Sequence, residues 1–224
     1  ADRELDHALT EIRQTVTDIT DECHRRMRAD TSLFDHPTNF LEAIIAAQRS
    51  EAVEFTQEEV HANVINLLLA GEDTTANTIA WAIKFFIDHP DLFLTAREEC
   101  DAVLGDKLVA QDLDSLRALE FIEAFAQETM RFKPVAPLLG AEPKENVDLL
   151  GYSIPAGVGI LALTRVNAVS EKHFFRASEF NPARWLTDDA APVGAHNPKA
   201  FLPFGAGPRF CPGRNLALVE IKSV

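Results

Sequence analysis

Cys211 is the residue with the most chemistry around it. It ends the run Phe204-Gly-Ala-Gly-Pro-Arg-Phe-Cys211 and is followed by Pro212 and Gly213. Three uses are open to such a segment. A glycine-rich loop before a helix can cradle phosphate, but that use calls for a preceding strand and a Gly-Lys-Ser/Thr ending, which are absent. A cysteine ahead of a helix can be a nucleophile with a lowered pKa. It then needs a base, and His196 is the only histidine in the flanking loop. A buried, inert cysteine is the bland reading.

Two other stretches combine costly residues. Ala70-Gly71-Glu72-Asp73-Thr74-Thr75 falls midway along a long helical pattern. A glycine inside a helix costs about 1 kcal/mol relative to alanine, and paired threonines stiffen χ1. A weak point tolerated by tertiary packing would account for them, and so would a site. Glu128 and Arg131 are three apart and share a helix face. On an exposed helix such a pair contributes under about 1 kcal/mol and means nothing functional.

The fixed positions Phe204, Gly207, Arg209, Cys211 and Gly213 match the pattern Phe-x-x-Gly-x-Arg-x-Cys-x-Gly, and on that basis the chain resembles the cytochrome P450 family. Ala70–Thr75 is similar to that family's oxygen-activation motif. Glu128 and Arg131 resemble its Glu-x-x-Arg pair. Phe180-Asn-Pro182-Ala-Arg184-Trp185 resembles the later segment that adds a second arginine, with Ala183 standing where the family more often has Glu. The four motifs fall in the family's order.

The resemblance implies haem b, with Cys211 as thiolate ligand to the iron, which favours O–O cleavage. Small residues, Gly205 among them, would let backbone and haem approach. Phe204 would shield the sulfur, and Arg209 would pair with a haem propionate. Thr74 would hydrogen-bond bound dioxygen or a water, and Asp73 would relay protons. The helix would be distorted there, with Ala70 and Gly71 against the haem. Glu128, Arg131 and Arg184 would form a buried network holding the cysteine loop. Val135, Ala136 and Leu138 would face a hydrophobic substrate, although core packing serves them equally.

The implied activity is monooxygenation of a small organic substrate by O2. Electrons would come from NAD(P)H through a ferredoxin, flavodoxin or flavin reductase. A peroxygenase or isomerase branch keeps the haem but needs no Asp73–Thr74 relay. An inactive, non-enzymatic helical fragment is the rival from another class.

The elements that must position these residues follow from periodicity. Leu5, Leu9, Ile12, Val16, Ile19, Cys23 and Met27 mark an amphipathic helix. A shorter helix spans Phe40 to Gln48. Thr56 and Glu59 form a capping box opening a helix to Asp88, stopped by His89-Pro90. It is apolar around much of its circumference from Val64 onward, as a helix crossing a core would be. Helices follow over 91–104, with Gly105 as cap, and over 120–132. Val147 to Leu150, Tyr152 to Ile154 and Val158 to Leu163 read as strands, with Pro155-Ala156-Gly157 turning between the last two. Thr187 to Pro208 has no sustained period, and Pro212 to Val224 begins a last helix.

The expected fold class is mainly α with a minor β element: a partial P450 fold with the long central helix, the Glu-x-x-Arg helix, the cysteine loop and the start of the next helix. Residues 1–224 read as the C-terminal part of a single domain whose N-terminal half and extreme C-terminus lie outside the sequence.

A net charge of −14 disfavours nucleic-acid binding. Three separated cysteines argue against a disulfide scaffold or structural zinc. The longest apolar run, around Val64 to Ala70, is too short to span a bilayer. Composition leans toward a cytoplasmic, bacterial-type protein, and the sequence shows no membrane anchor.

Overall fold

The computed structural model describes residues 2–49, 56–186 and 196–224. They are mainly helical and divide into two compact units, Ala1–Glu72 and Asp73–Val224. Part of the irregular 187–208 stretch, residues 187–195, lies outside the described residues.

In the first unit, α1 (Asp2–Ala29) and α2 (Phe40–Arg49) are joined through a short 3-10 turn, Thr31–Phe34. The apolar stripe of α1 is only partly used. Val16, Cys23 and Met27 are buried, whereas Leu5, Leu9, Ile12 and Ile19 are exposed. The turn and α2 supply Leu33, Phe34, Leu41 and Ile45 around Cys23 and Met27, toward the C-terminal end of the helix. Glu42 ties this corner together. It has no exposure, pairs with Arg26, and accepts from Thr38 through backbone N (2.6 Å) and Oγ1 (2.8 Å). Those donors favour the anion, with the Thr38 N–H contributing most, and hold the Glu42 carboxyl below its ordinary range.

Helix α3 (Gln57–Asp88) starts at the expected capping box. Thr56 N donates to Glu59 Oε2 at 2.8 Å, and Glu59 N to Thr56 Oγ1 at 3.2 Å. The expectation of a helix sunk in a core is not met. Leu68, Leu69, Ile83 and Ile87 are exposed, and in its second half burial is confined to Thr75, Thr78, Ala82 and Phe85.

In the second unit, α4 (Pro90–Leu104), α5 (Leu113–Ala118) and α6 (Glu120–Phe132) lead to the strands. Gly105 follows α4 at φ 58°, and α5 is an addition to the sequence reading. The start of α6 is capped from another helix: Glu99 accepts from Phe121 N (2.7 Å) and Ile122 N (3.0 Å). An anion at that end also suits the helix dipole. Phe85 and Phe86 of α3 pack on α6, with Phe85 stacked on Phe180 at 4.2 Å and Phe86 on Phe125 at 3.8 Å.

The strands pair differently from the sequence expectation. β1 (Leu139–Ala141) is antiparallel to β4 (Ile160–Ala162), and β2 (Val147–Leu149) to β3 (Tyr152–Ile154). Pro155-Ala156-Gly157 therefore does not close a hairpin with β4. Gly157 N bonds Pro143 O at 3.0 Å and Ala156 N bonds Asn146 Oδ1 at 3.0 Å, which turns the chain toward β1. The true hairpin turn is Leu150-Gly151, with φ of 54° and 84°. Two positive φ values suit the twist of a two-residue hairpin loop. A leucine in that role hides the turn from sequence reading. The short helix α7 (Thr164–Ala168) is a second addition, and the last helix, α8, spans Arg214–Ser223.

Candidate functional site

The cysteine loop hangs between a hydrophobic cluster and α8. Met130, Ala168, Phe174, Ala177 and Phe201 form the cluster, with Trp185, Phe204 and Leu218 against it. Cys211 is half-buried, and its N–H donates to Phe204 O at 2.9 Å. The loop turns at Gly205 and Gly207, whose φ values of 74° and 68° are in the region that side chains disfavour. Phe204 is half-buried, with the Arg214 guanidinium 5.8 Å from its ring centre. At Gly213 an added Cβ would stand 3.9 Å from Cys211 Sγ, so glycine keeps this side of the sulfur open. α8 begins after Gly213, slightly later than the Pro212 start read from sequence. Arg209 is exposed and pairs with no carboxylate among the described residues.

Behind the loop lies the most highly bonded group of charges among the described residues. Glu128 and Arg131 have no exposure, and Arg184 is 3% exposed. Arg131 grips Glu128 with two bonds, Nε to Oε2 at 2.8 Å and Nη2 to Oε1 at 2.7 Å. Its remaining donors reach Ala168 O (2.7 Å), Ala177 O (2.9 Å) and Glu179 O (3.1 Å). Arg184 Nε donates to Glu128 Oε1 at 3.1 Å, and its Nη1 to Phe175 O at 2.9 Å. Asn181 N (2.8 Å) and Trp185 Nε1 (2.9 Å) complete the carboxylate's shell. The two arginines against one glutamate leave one positive charge, spread over carbonyl oxygens. Sequence reasoning missed the Asn181 and Trp185 contacts, since neither residue type signals a buried carboxylate.

Asp73 and Thr74 are exposed on α3, and Thr75 is buried. α3 runs through this stretch without a break. Local back-bonding occurs here, as it does elsewhere in the helices. Asn77 Nδ2 donates to Asp73 O at 2.7 Å, and Thr78 Oγ1 to Thr74 O at 2.9 Å. Such bonds loosen or bend a helix without breaking it. Ala70 and Gly71 are also exposed, in the first unit.

Val135, Ala136 and Leu138 are exposed in the segment between α6 and β1. This segment is held by Thr164 Oγ1 donating to Ala136 O at 3.3 Å and Arg165 N to Pro137 O at 3.4 Å. Among the described residues nothing buries these side chains.

The chemistry of the donor set can be tested against haem. No group of three His, Cys, Asp or Glu residues able to hold a metal ion occurs among the described residues. A metal bound at Cys211 would have to arrive with its other ligands supplied, as iron does in a porphyrin. A half-exposed sulfur, small residues beside it and a nearby unpaired Arg209 fit that requirement. No helix among the described residues is long and apolar enough to cross a membrane.

Comparison with known proteins agrees with this arrangement. The cytochrome P450 family model matches residues 2–224. The chain is 31% identical over 175 residues to cytochrome P450 93A2 of Glycine max, covering 78% of this chain and 35% of that protein. It is 35% identical over 176 residues to cytochrome P450 93B2 of Gerbera hybrida, covering 77% and 34%. It is 30% identical over 188 residues to beta-amyrin 11-oxidase of Glycyrrhiza uralensis, covering 82% and 36%. The chain thus spans about a third of the length of these relatives. With the family model matched along nearly all of its residues, and the cysteine loop built as described, the chain belongs to the cytochrome P450 family.

Proposed function

We propose that this chain is the haem-binding, C-terminal portion of a haem-thiolate monooxygenase, with Cys211 giving its sulfur to the haem iron as an anion. The cysteine loop carries this reading. Two positive-φ glycines and the Cys211 N–H bond to Phe204 O present a half-buried thiol at the start of a helix. Bound haem supplies the activation of O2, with one oxygen atom going to an organic substrate and the other to water.

The chain's own residues have separate tasks. Backbone N–H groups at the start of α8 favour the anionic sulfur. Phe204 keeps water from it, and Arg209 offers a guanidinium to a propionate. Gly205, Gly207 and Gly213 would keep the surface beside the sulfur low, and by the family resemblance the small Ala70 and Gly71 would leave room for haem. The Thr74 hydroxyl orients dioxygen or a water, and the exposed Asp73 carboxylate passes protons inward from solvent. The apolar, exposed Val135, Ala136 and Leu138 favour a hydrophobic substrate. Glu128, Arg131 and Arg184 brace the loop from behind. Electrons come from NAD(P)H by way of a ferredoxin, flavodoxin or flavin reductase. The relatives named above are plant proteins, and the bacterial-type, cytoplasmic lean rests on composition alone.

The test is replacement of Cys211 by His and by Ala in the haem-loaded protein. The CO-difference band of thiolate ligation should be lost in both, together with turnover. Retention of that band in either variant would overturn the assignment.

A further inference from the structure

Trp185 sits in a motif that gives it no task, yet its contacts join the two halves of the site. Its Nε1–H donates to Glu128 Oε2 at 2.9 Å. Its ring centre lies 4.9 Å from that of Phe201 and 6.0 Å from that of Phe174. Phe201 is buried and opens the stretch that leads to Cys211. Phe204, whose carbonyl holds the Cys211 N–H, packs on the same cluster. One side chain therefore touches the buried ion network with its polar edge and, with its ring, Phe201 at the head of the segment that leads to the cysteine.

The hydrogen-bond inventory shows why an indole is required. Glu128 Oε1 accepts from Arg131 Nη2, Asn181 N and Arg184 Nε. Oε2 accepts from Arg131 Nε and Trp185 Nε1. Without the indole N–H, one oxygen of a fully buried carboxylate keeps a single donor. An unmet lone pair on a buried anion is costly. A phenyl ring would fill part of the space but donate nothing.

We propose that Trp185 is a positioning residue for Cys211. The bond to Glu128 fixes the plane of the indole, the indole fixes Phe201, and Phe201 belongs to the cluster on which Phe204, the residue that holds the Cys211 N–H, is packed. This rests on the haem-thiolate reading above.

The test uses the haem-loaded protein with Trp185 replaced by its benzothienyl analogue, which puts sulfur in place of N–H and keeps the ring shape. Trp185→Phe serves as a second variant. Three quantities are read: the rate at which the thiolate-type CO band converts to the neutral-thiol type, hydrogen exchange at the Cys211 amide, and the global unfolding midpoint. The analogue should speed conversion by about tenfold, the scale of a lost bond to a charged group. It should also raise Cys211 exchange by more than the accompanying fall in the midpoint accounts for. Unchanged conversion and exchange would overturn the proposal, as would changes that merely track a matching fall in global stability. Absence of a thiolate band in the unmodified protein has a different meaning: the haem-thiolate reading itself then fails, and this inference with it.

Discussion

Arg131→Lys keeps the charge of the buried network and removes its geometry, which makes it the most informative substitution. Arg131 makes two bonds to Glu128 and three to the carbonyls of Ala168, Ala177 and Glu179. A lysine ammonium has three donors on one atom and cannot span the same fork. Glu179 O retains a bond from Arg184 Nη2 at 3.3 Å, so the exposed loss falls on Glu128 and the two alanine carbonyls. Two lost charge-assisted bonds in a fully buried site amount to about 3–5 kcal/mol. That is a large share of the ~5–15 kcal/mol that holds a domain folded. Asp114 and Arg117 are the control. They have the same three-residue spacing and a 3.0 Å contact, but their side chains are 91% and 75% exposed. Arg117→Lys should cost less than about 0.5 kcal/mol. Denaturant unfolding of the holo-protein, followed by circular dichroism, compares the two. If Arg131→Lys stays within about 1 kcal/mol of the parent, the claim that fork geometry rather than charge braces this site is wrong.

Three further outcomes are expected from smaller changes. Thr56→Ala removes one half of the capping box and should destabilise the start of α3 by about 1 kcal/mol, seen as faster hydrogen exchange in its first turn. Gly205→Ala should cost about 1–2 kcal/mol through its φ of 74° rather than through crowding, since the nearest atom to an added Cβ is Arg209 O at 3.9 Å. D-alanine at the same position should restore stability. Glu42 has a folded-state pKa below its unfolded one, so its stabilisation is present above the unfolded value and is lost as pH falls through the folded value. Glu42→Gln should therefore flatten the acid limb of a stability-versus-pH curve, and an unchanged limb would show that its bonds to Thr38 and Arg26 are not what the titration reports.

Helix starts and stops were readable because they depend on neighbours in sequence. The Thr56–Glu59 box, the Pro90 stop, the Gly105 cap and the end of α6 before Pro134 all involve residues a few positions apart. Strand pairing was not readable, because it depends on partners far along the chain. Pro155-Ala156-Gly157 has the composition of a hairpin turn, but its amides bond to Pro143 and Asn146, and β4 pairs instead with β1. The helix α5 is too short to show a period, although Asp112 caps it by accepting from Ser115 N at 2.7 Å.

The same distinction separates what could be seen of the candidate site from what could not. Cys211 and its glycines announce themselves because tight turns restrict residue type locally. The meaning of Glu128 and Arg131 could not be read from their spacing, since Asp114 and Arg117 share it and are solvated. Burial makes the difference, and burial is conferred by segments 37 to 57 residues away: Ala168, Ala177 and Glu179 supply carbonyls, and Asn181, Arg184 and Trp185 supply donors. A charge pair becomes a brace only when the rest of the chain has removed its water and replaced every lost hydrogen bond. For that reason one residue worth perturbing beside the cysteine and Arg131 is one to which its motif gives no task, an indole whose single N–H completes the shell of a buried anion.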